Sequence, residues 1–224
     1  MGLDMYLDRA PRLKGVTAQE ISALNGYFSW EKAKNEGSEY ANCTLRQWCG
    51  IDEKDVPKEA IEAYKPHYIT HYSAWDTDHK YGHSSIWESV GYWRKANAIH
   101  KWFVENVQNE VDNCGCYEVS KTKLRNLLDV CIQVRDASQL KKGWVKNGER
   151  FENGVWCPIM EEGECIEDTS VAEELLPTQS GFFFGGTDYD EYYLADINDT
   201  IEILTKVLDE TNFETQMVVY SSSW

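Results

Sequence analysis

Basic residues are scarce in this chain. Lys and Arg number 22 against 38 Asp and Glu, a formal net charge of −16. Extended nucleic acid is held largely by Lys and Arg displacing counterions, and anionic lipid is held by polybasic segments, so neither partner is expected. No apolar run approaches the roughly 18 residues of a membrane-spanning helix. The opening Met1-Gly2-Leu3-Asp4-Met5-Tyr6-Leu7-Asp8 lacks the basic and apolar regions of a secretion signal, and Tyr6 stands where N-myristoylation needs Ser or Thr. The seven cysteines are odd in number and irregularly spaced, which points to free thiols and a cytoplasmic location rather than a disulfide framework. Internal repeats and low-complexity linkers are missing too. So is any Gly-x-Ser-x-Gly, Cys-His or kinase signature that would pair a nucleophile with its base.

What is present is apolar and aromatic surface. The hydrophobic fraction is 42% and the aromatic fraction 13%, with nine Trp and thirteen Tyr, far more than a solvated chain carries. Leu3, Met5 and Leu7 alternate with Asp4, Tyr6 and Asp8, the pattern of a strand with one buried face. Phe213 to Tyr220 reads as a second strand able to pair with the first. Thr17 with Glu20 forms a capping box, and Pro57 opens a short helix. Pro66 to Trp75, rich in β-branched and aromatic residues, reads as extended. From about Glu88 to about Val111, Ala96, Ile99, Phe103 and Val107 recur at steps of three and four, which predicts one long helix. A Cys116–Val119 strand follows, and then a helix capped by Ser120 with Leu124, Leu127, Leu128, Cys131 and Val134 inward. Asn147-Gly148 and Asn153-Gly154 signal a hairpin over Gly143–Ile159. Met160 to Glu174 reads as an acidic solvated loop leading into a short helix, and Tyr189 to Leu208 as a final helix. The expected class is α+β: a single domain over 1–224, with a small sheet including both termini packed with two or three long helices.

Three clusters carry chemistry. Four of the eight residues from Arg94 to Lys101 are basic or His. On one continuous helix, at about 100° per residue, Trp93, Arg94, Asn97 and Lys101 share a sector about 100° wide, with His100 at its border. An indole, a guanidinium, an ammonium and a carboxamide suit a base and a phosphate. The plainer alternative is a solvated helix face. The second cluster runs from Leu175 through Gly181-Phe182-Phe183-Phe184-Gly185-Gly186-Thr187-Asp188-Tyr189 to Tyr193. Three consecutive Phe cannot all enter one core from a strand, so a cleft or partner face is expected here. Thr187 or Asp188 reads as the N-cap of the helix that follows, with Glu191 completing a box. The third is the series His67, His71, His79 and His83, with Asp76 and Asp78 between. In an extended chain, residues four apart lie roughly 13 Å from each other, which favours a polar loop over a metal site.

The motifs Met1-Gly2-Leu3-Asp4-Met5-Tyr6-Leu7, Val90-Gly91-Tyr92-Trp93-Arg94-Lys95-Ala96-Asn97 with Ile99-His100, and Leu175-Leu176-Pro177-Thr178 with Gly181 to Gly185 and Tyr189 to Tyr193 resemble a family of small uncharacterised proteins. That family occurs in bacteriophages and prophage-carrying bacterial genomes. The likeness covers the N-terminal strand and most of 88–136 and 172–224, leaving about 9–87 and 141–168 as expected insertions. It implies a setting, the cytoplasm of a host bacterial cell, and a host-takeover or anti-defence role.

The resulting expectation is a sponge that binds and sequesters a small anionic, nucleotide-like host immune signal and needs no cofactor. Its expected ligand-binding residues are Trp93, Arg94, Asn97, His100, Lys101, Phe183, Phe184, Thr187, Asp188 and Tyr189. Whether one chain builds the pocket or a homo-oligomer does stays open. The alternatives are a metal-assisted enzyme acting on a nucleotide through Asp4, Asp188, Asp190 or the histidines, and an acidic inhibitor or DNA mimic that occupies a host protein.

Overall fold

A computed structural model describes residues 2–38, 42–71, 82–181 and 183–224. In chain order it begins with strand β1 (Asp4–Pro11), helix α1 (Ala18–Asn35) and the short helices α2 (Leu45–Cys49) and α3 (Ile61–Tyr64). Strands β2 (Ile69–His71), β3 (His83–Ser85) and β4 (Glu88–Arg94) follow, then α4 (Asn97–Asn106), β5 (Tyr117–Val119) and α5 (Lys121–Ala137). The chain continues with β6 (Leu140–Glu152), β7 (Val155–Ile166), α6 (Ser170–Leu175), α7 (Glu191–Glu210) and β8 (Gln216–Ser223). The class is α+β, and the strands nearest the two termini pair in one sheet, as the alternation at each end requires.

The main sheet has the order β4-β1-β8-β5. Strand β1 runs antiparallel to β8 from Asp4↔Ser223 to Pro11↔Gln216. On its other side it pairs with β4, with a register shift between Leu7 and Asp8. Period-two alternation sorts the side chains onto two cores. One face sends Leu3, Met5, Leu7, Trp93, Val218 and Tyr220 against α4, α5 and α7. The other sends Ala10, Met217 and Val219 against Ile21, Leu24 and Phe28 of α1, with Leu45 and Tyr64 behind. Each fully buried Leu or Ile contributes about 1.5–3 kcal/mol relative to exposure. Thr17 and Ser120 cap α1 and α5, and at Thr17 both halves of the box are made.

One helix is not where periodicity puts it. Glu88–Arg94 is a strand, and the helix begins only at Asn97. Gly91 explains the difference. A Cβ there would come within 2.6 Å of Ile203 Cγ2, so the strand lies against α7 at a distance only glycine allows. Val90, Tyr92 and Trp93 are themselves good strand formers. Lys95 then takes a left-handed φ of 63° and breaks the strand from the helix. Trp93 and Arg94 therefore do not share a helical stripe with Asn97 and Lys101.

The hairpin is longer than its turn signals suggest. Asn153 and Gly154 both have positive φ, 51° and 85°, as a type I′ turn needs. The other pair, Asn147-Gly148, marks the register shift between Lys146 and Glu149. Strand β7 extends to Ile166, so the first half of the stretch expected to be an acidic loop is strand. The hairpin projects as a two-stranded arm, with Trp144, Phe151, Val155 and Trp156 each more than half exposed.

Candidate functional site

Most of the stripe expected to bind ligand is internal. Trp93 is 3% exposed, and its indole donates to Thr200 Oγ1 at 2.9 Å. Asn97 is buried and fully used. Its Nδ2 donates to the carbonyls of Phe184 (3.2 Å) and Gly186 (2.7 Å), and its Oδ1 accepts from Gln179 N at 2.9 Å. It fastens the loop before α7 rather than facing a ligand. Phe184 is buried beside it, and Phe183 is exposed with a φ of 72°. Phe182 lies outside the described residues, as do Asp76, Asp78 and His79.

His100 is 0% exposed. Its Nδ1 lies 2.7 Å from Tyr220 Oη and its Nε2 3.0 Å from Asp112 Oδ2. An ionised carboxylate only accepts, so Nε2 carries the proton towards Asp112 and Nδ1 accepts from the neutral ring's other neighbour, the Tyr220 hydroxyl. The hydroxyl–imidazole–carboxylate order looks like a nucleophile with its base and orienting acid. The setting differs: Tyr220 is fully buried, burial pushes its hydroxyl pKa well above 10, and Phe103 stacks on its ring at 3.9 Å. These groups knit α4 to β8. Arg94 and Lys101 do reach the surface. Arg94 Nε lies 4.0 Å from Asp4 Oδ1, and Lys101 Nζ lies 3.9 Å from Glu105. Arg94 and Tyr92 alternate onto the sheet face opposite Trp93, where the Tyr92 hydroxyl also donates to Asp4.

A concave site lies elsewhere, at the foot of the arm. A cavity of about 500 Å³ is lined by Trp144, Val145 and Lys146 of β6 and by Pro158, Met160, Cys165 and Ile166 of β7. Thr169 and the loop Thr187-Asp188-Tyr189-Asp190 close it. Three of the expected residues, Thr187, Asp188 and Tyr189, thus come together here; Trp93, Arg94, Asn97, His100, Lys101, Phe183 and Phe184 are not part of this lining. Backbone contacts set the geometry. Cys165 forms a β-bridge with Asp190, and Ile166 N donates to Tyr189 O at 3.0 Å. Thr178 reaches across the same loop, from Oγ1 to Thr187 O (3.0 Å) and from N to Tyr189 Oη (3.3 Å).

The N-cap of α7 is Asp190, not Thr187 or Asp188. Its carboxylate accepts from the amides of Tyr192 and Tyr193, both at 3.0 Å. Burial raises its pKa, while those two amides pull the other way. Glu191 makes no box; its Oε1 accepts from Glu164 N at 3.3 Å and ties helix to arm. The lining thus offers two rings, Trp144 and Tyr189, one ammonium, Lys146, which pairs with Glu149 at 2.5 Å, and one carboxylate left for a ligand, Asp188. Cys165 Sγ lies 3.6 Å from the Trp144 carbonyl. The β6 and β7 contributors were not legible as a site, although the Asn153-Gly154 turn was the signal that would bring them face to face.

Comparison with protein-family models, curated proteins and solved structures gives no match.

Proposed function

We propose that this protein binds and sequesters a small nucleotide-like molecule in the cavity at the foot of the β6–β7 arm. The observation that carries the reading is the cavity itself: about 500 Å³, within the range of small-ligand sites and mostly apolar with a few convergent polar groups. Trp144 and Tyr189 offer faces for a planar base. Lys146 supplies an ammonium for one phosphate, and Asp188 an acceptor for ribose hydroxyls. One ammonium beside two carboxylates favours a ligand of low charge over a polyphosphate. The resemblance of the sequence motifs to phage and prophage proteins supports a host signalling nucleotide as the ligand and sequestration as the role.

The test is incubation of the protein with a panel of host signalling nucleotides, removal of unbound ligand, denaturation and mass analysis of what is released. Intact ligand, lost in Trp144→Ala, is the expected result. Altered ligand replaces sequestration with catalysis. No retention across the panel sinks the reading and favours a protein partner. The exposed aromatics of the arm, Trp144, Phe151 and Trp156, are the specific observation behind that second reading, since such residues anchor protein interfaces.

A further inference from the structure

The β2–β3 ribbon holds an arrangement unrelated to the cavity. His71 and His83 are direct cross-strand partners, and their ring centroids lie 5.8 Å apart. The sequence spacing between them says nothing of this; the pairing of the two strands creates it.

The tautomer of His71 follows from its hydrogen bond. Its Nε2 lies 3.1 Å from the carbonyl oxygen of Ser85, and a carbonyl oxygen only accepts. The ring proton is therefore on Nε2, and in the neutral ring the lone pair is on Nδ1. An imidazole whose second nitrogen donates to a backbone carbonyl is oriented in the way metal ligands are. The spacing also fits. A metal about 2.0–2.1 Å from each ligating nitrogen lies roughly 3.2 Å from each ring centre, so two imidazoles on a tetrahedral ion have centroids about 5.2 Å apart. The observed 5.8 Å exceeds that value by about 0.6 Å.

We propose that His71, through Nδ1, and His83, through one ring nitrogen, chelate a divalent transition-metal ion of the zinc, nickel or copper class. Imidazole nitrogen selects these ions over magnesium and calcium, which prefer oxygen. Among the described residues no group of three or more His, Cys, Asp or Glu side chains converges on one point, so the proposal rests on the two imidazoles alone. Glu88, whose carboxylate feels the charge of His71, is not counted as a ligand. Arg9 holds both its oxygens, at 2.8 and 3.0 Å. His83 is exposed and His71 half-buried, so the site exchanges its ion freely with solvent.

The experiment adds Ni²⁺ stepwise to the full chain while the histidine ring signals are followed by NMR and the binding heat by calorimetry. The signals of His71 and His83 are expected to broaden together at one equivalent, with those of His67 and His100 unchanged. Loss of an outer-shell partner alone weakens metal sites by about 10–100-fold, so His71→Ala and His83→Ala are each expected to weaken binding by at least about tenfold. Binding unchanged in both variants overturns the proposal. So does the absence of joint broadening in the unsubstituted chain, which decides the matter whether or not the variants fold.

Discussion

The Trp93 indole and the Thr200 hydroxyl form a buried hydrogen bond of 2.9 Å between β4 and α7. That one contact changes the meaning of the residue expected to stack on a ligand. Trp93→Ala removes a large core side chain and is expected to cost about 3–5 kcal/mol, read as a lower urea midpoint. Trp93→Phe keeps most of the volume and loses the donor. Thr200 still donates to Asp196 O at 2.6 Å, so about 1 kcal/mol is expected. A Trp93→Ala variant of unchanged stability contradicts the placement.

Asn97 is expected to govern the loop before α7. Its side chain satisfies two carbonyls and one amide of that loop. Asn97→Asp keeps the shape but turns both donors into acceptors facing carbonyl oxygens, at about 1–3 kcal/mol for the groups left unpaired. Amide exchange of Gln179 is expected to accelerate sharply. Protection of Gln179 equal to that of the parent chain removes this role.

Stability is expected to fall as pH rises from about 4 to about 7. Burial raises Asp8 and Asp196 from 3.8 to about 7, and Asp199 and Asp190 add repulsion at Asp196. Between the unfolded and folded pKa the native state binds more protons, so the contribution is complete below the lower value and lost through the upper one. Asp8→Asn and Asp196→Asn are each expected to stabilise the chain at pH 8 by about 1–3 kcal/mol and to change little at pH 4. Glu88 acts in the opposite sense. Its hydrogen bonds from Arg9 lower its pKa, so its contribution is lost as pH falls below the usual glutamate value. A stability maximum at about pH 4 follows, and thermal melts across pH 3–9 check it.

Gly91→Ala is expected to destabilise by about 1–3 kcal/mol, because the new methyl would overlap Ile203. Ile203→Ala is expected to relieve part of that cost in the double variant. Strictly additive losses in a double-mutant cycle would show that the two residues do not meet.

The parts of the fold legible in the sequence are those decided locally. Leu3, Met5 and Leu7 alternate, Leu124, Leu127, Cys131 and Val134 repeat, and Thr17 and Ser120 cap; each needs only its neighbours. Val90–Arg94 failed because the helical period of Ile99 and Phe103 was carried back past Lys95, whose positive φ has no signature in its side chain. The cavity failed for a different reason. Trp144, Lys146 and Met160 reach Thr187 and Asp188 through the Cys165–Asp190 bridge and the Ile166–Tyr189 hydrogen bond, contacts between distant segments. Of the expected ligand residues, the three nearest that bridge line the cavity, while Asn97 and His100 were polar for the sake of internal satisfaction.

The position of β8 between β1 and β5 has a consequence for synthesis. Residues 216–223 are translated after every other element described here, yet they fill the gap beside the first strand. Until then β1 has β4 on one side and an open edge on the other, and the undersides of α1 and α7 have only part of the sheet to cover them. Non-local pairing of this kind is slow and leaves apolar edges exposed to aggregation. The nascent chain therefore carries this open edge until residues 216–223 are made, and its sheet closes only after they emerge.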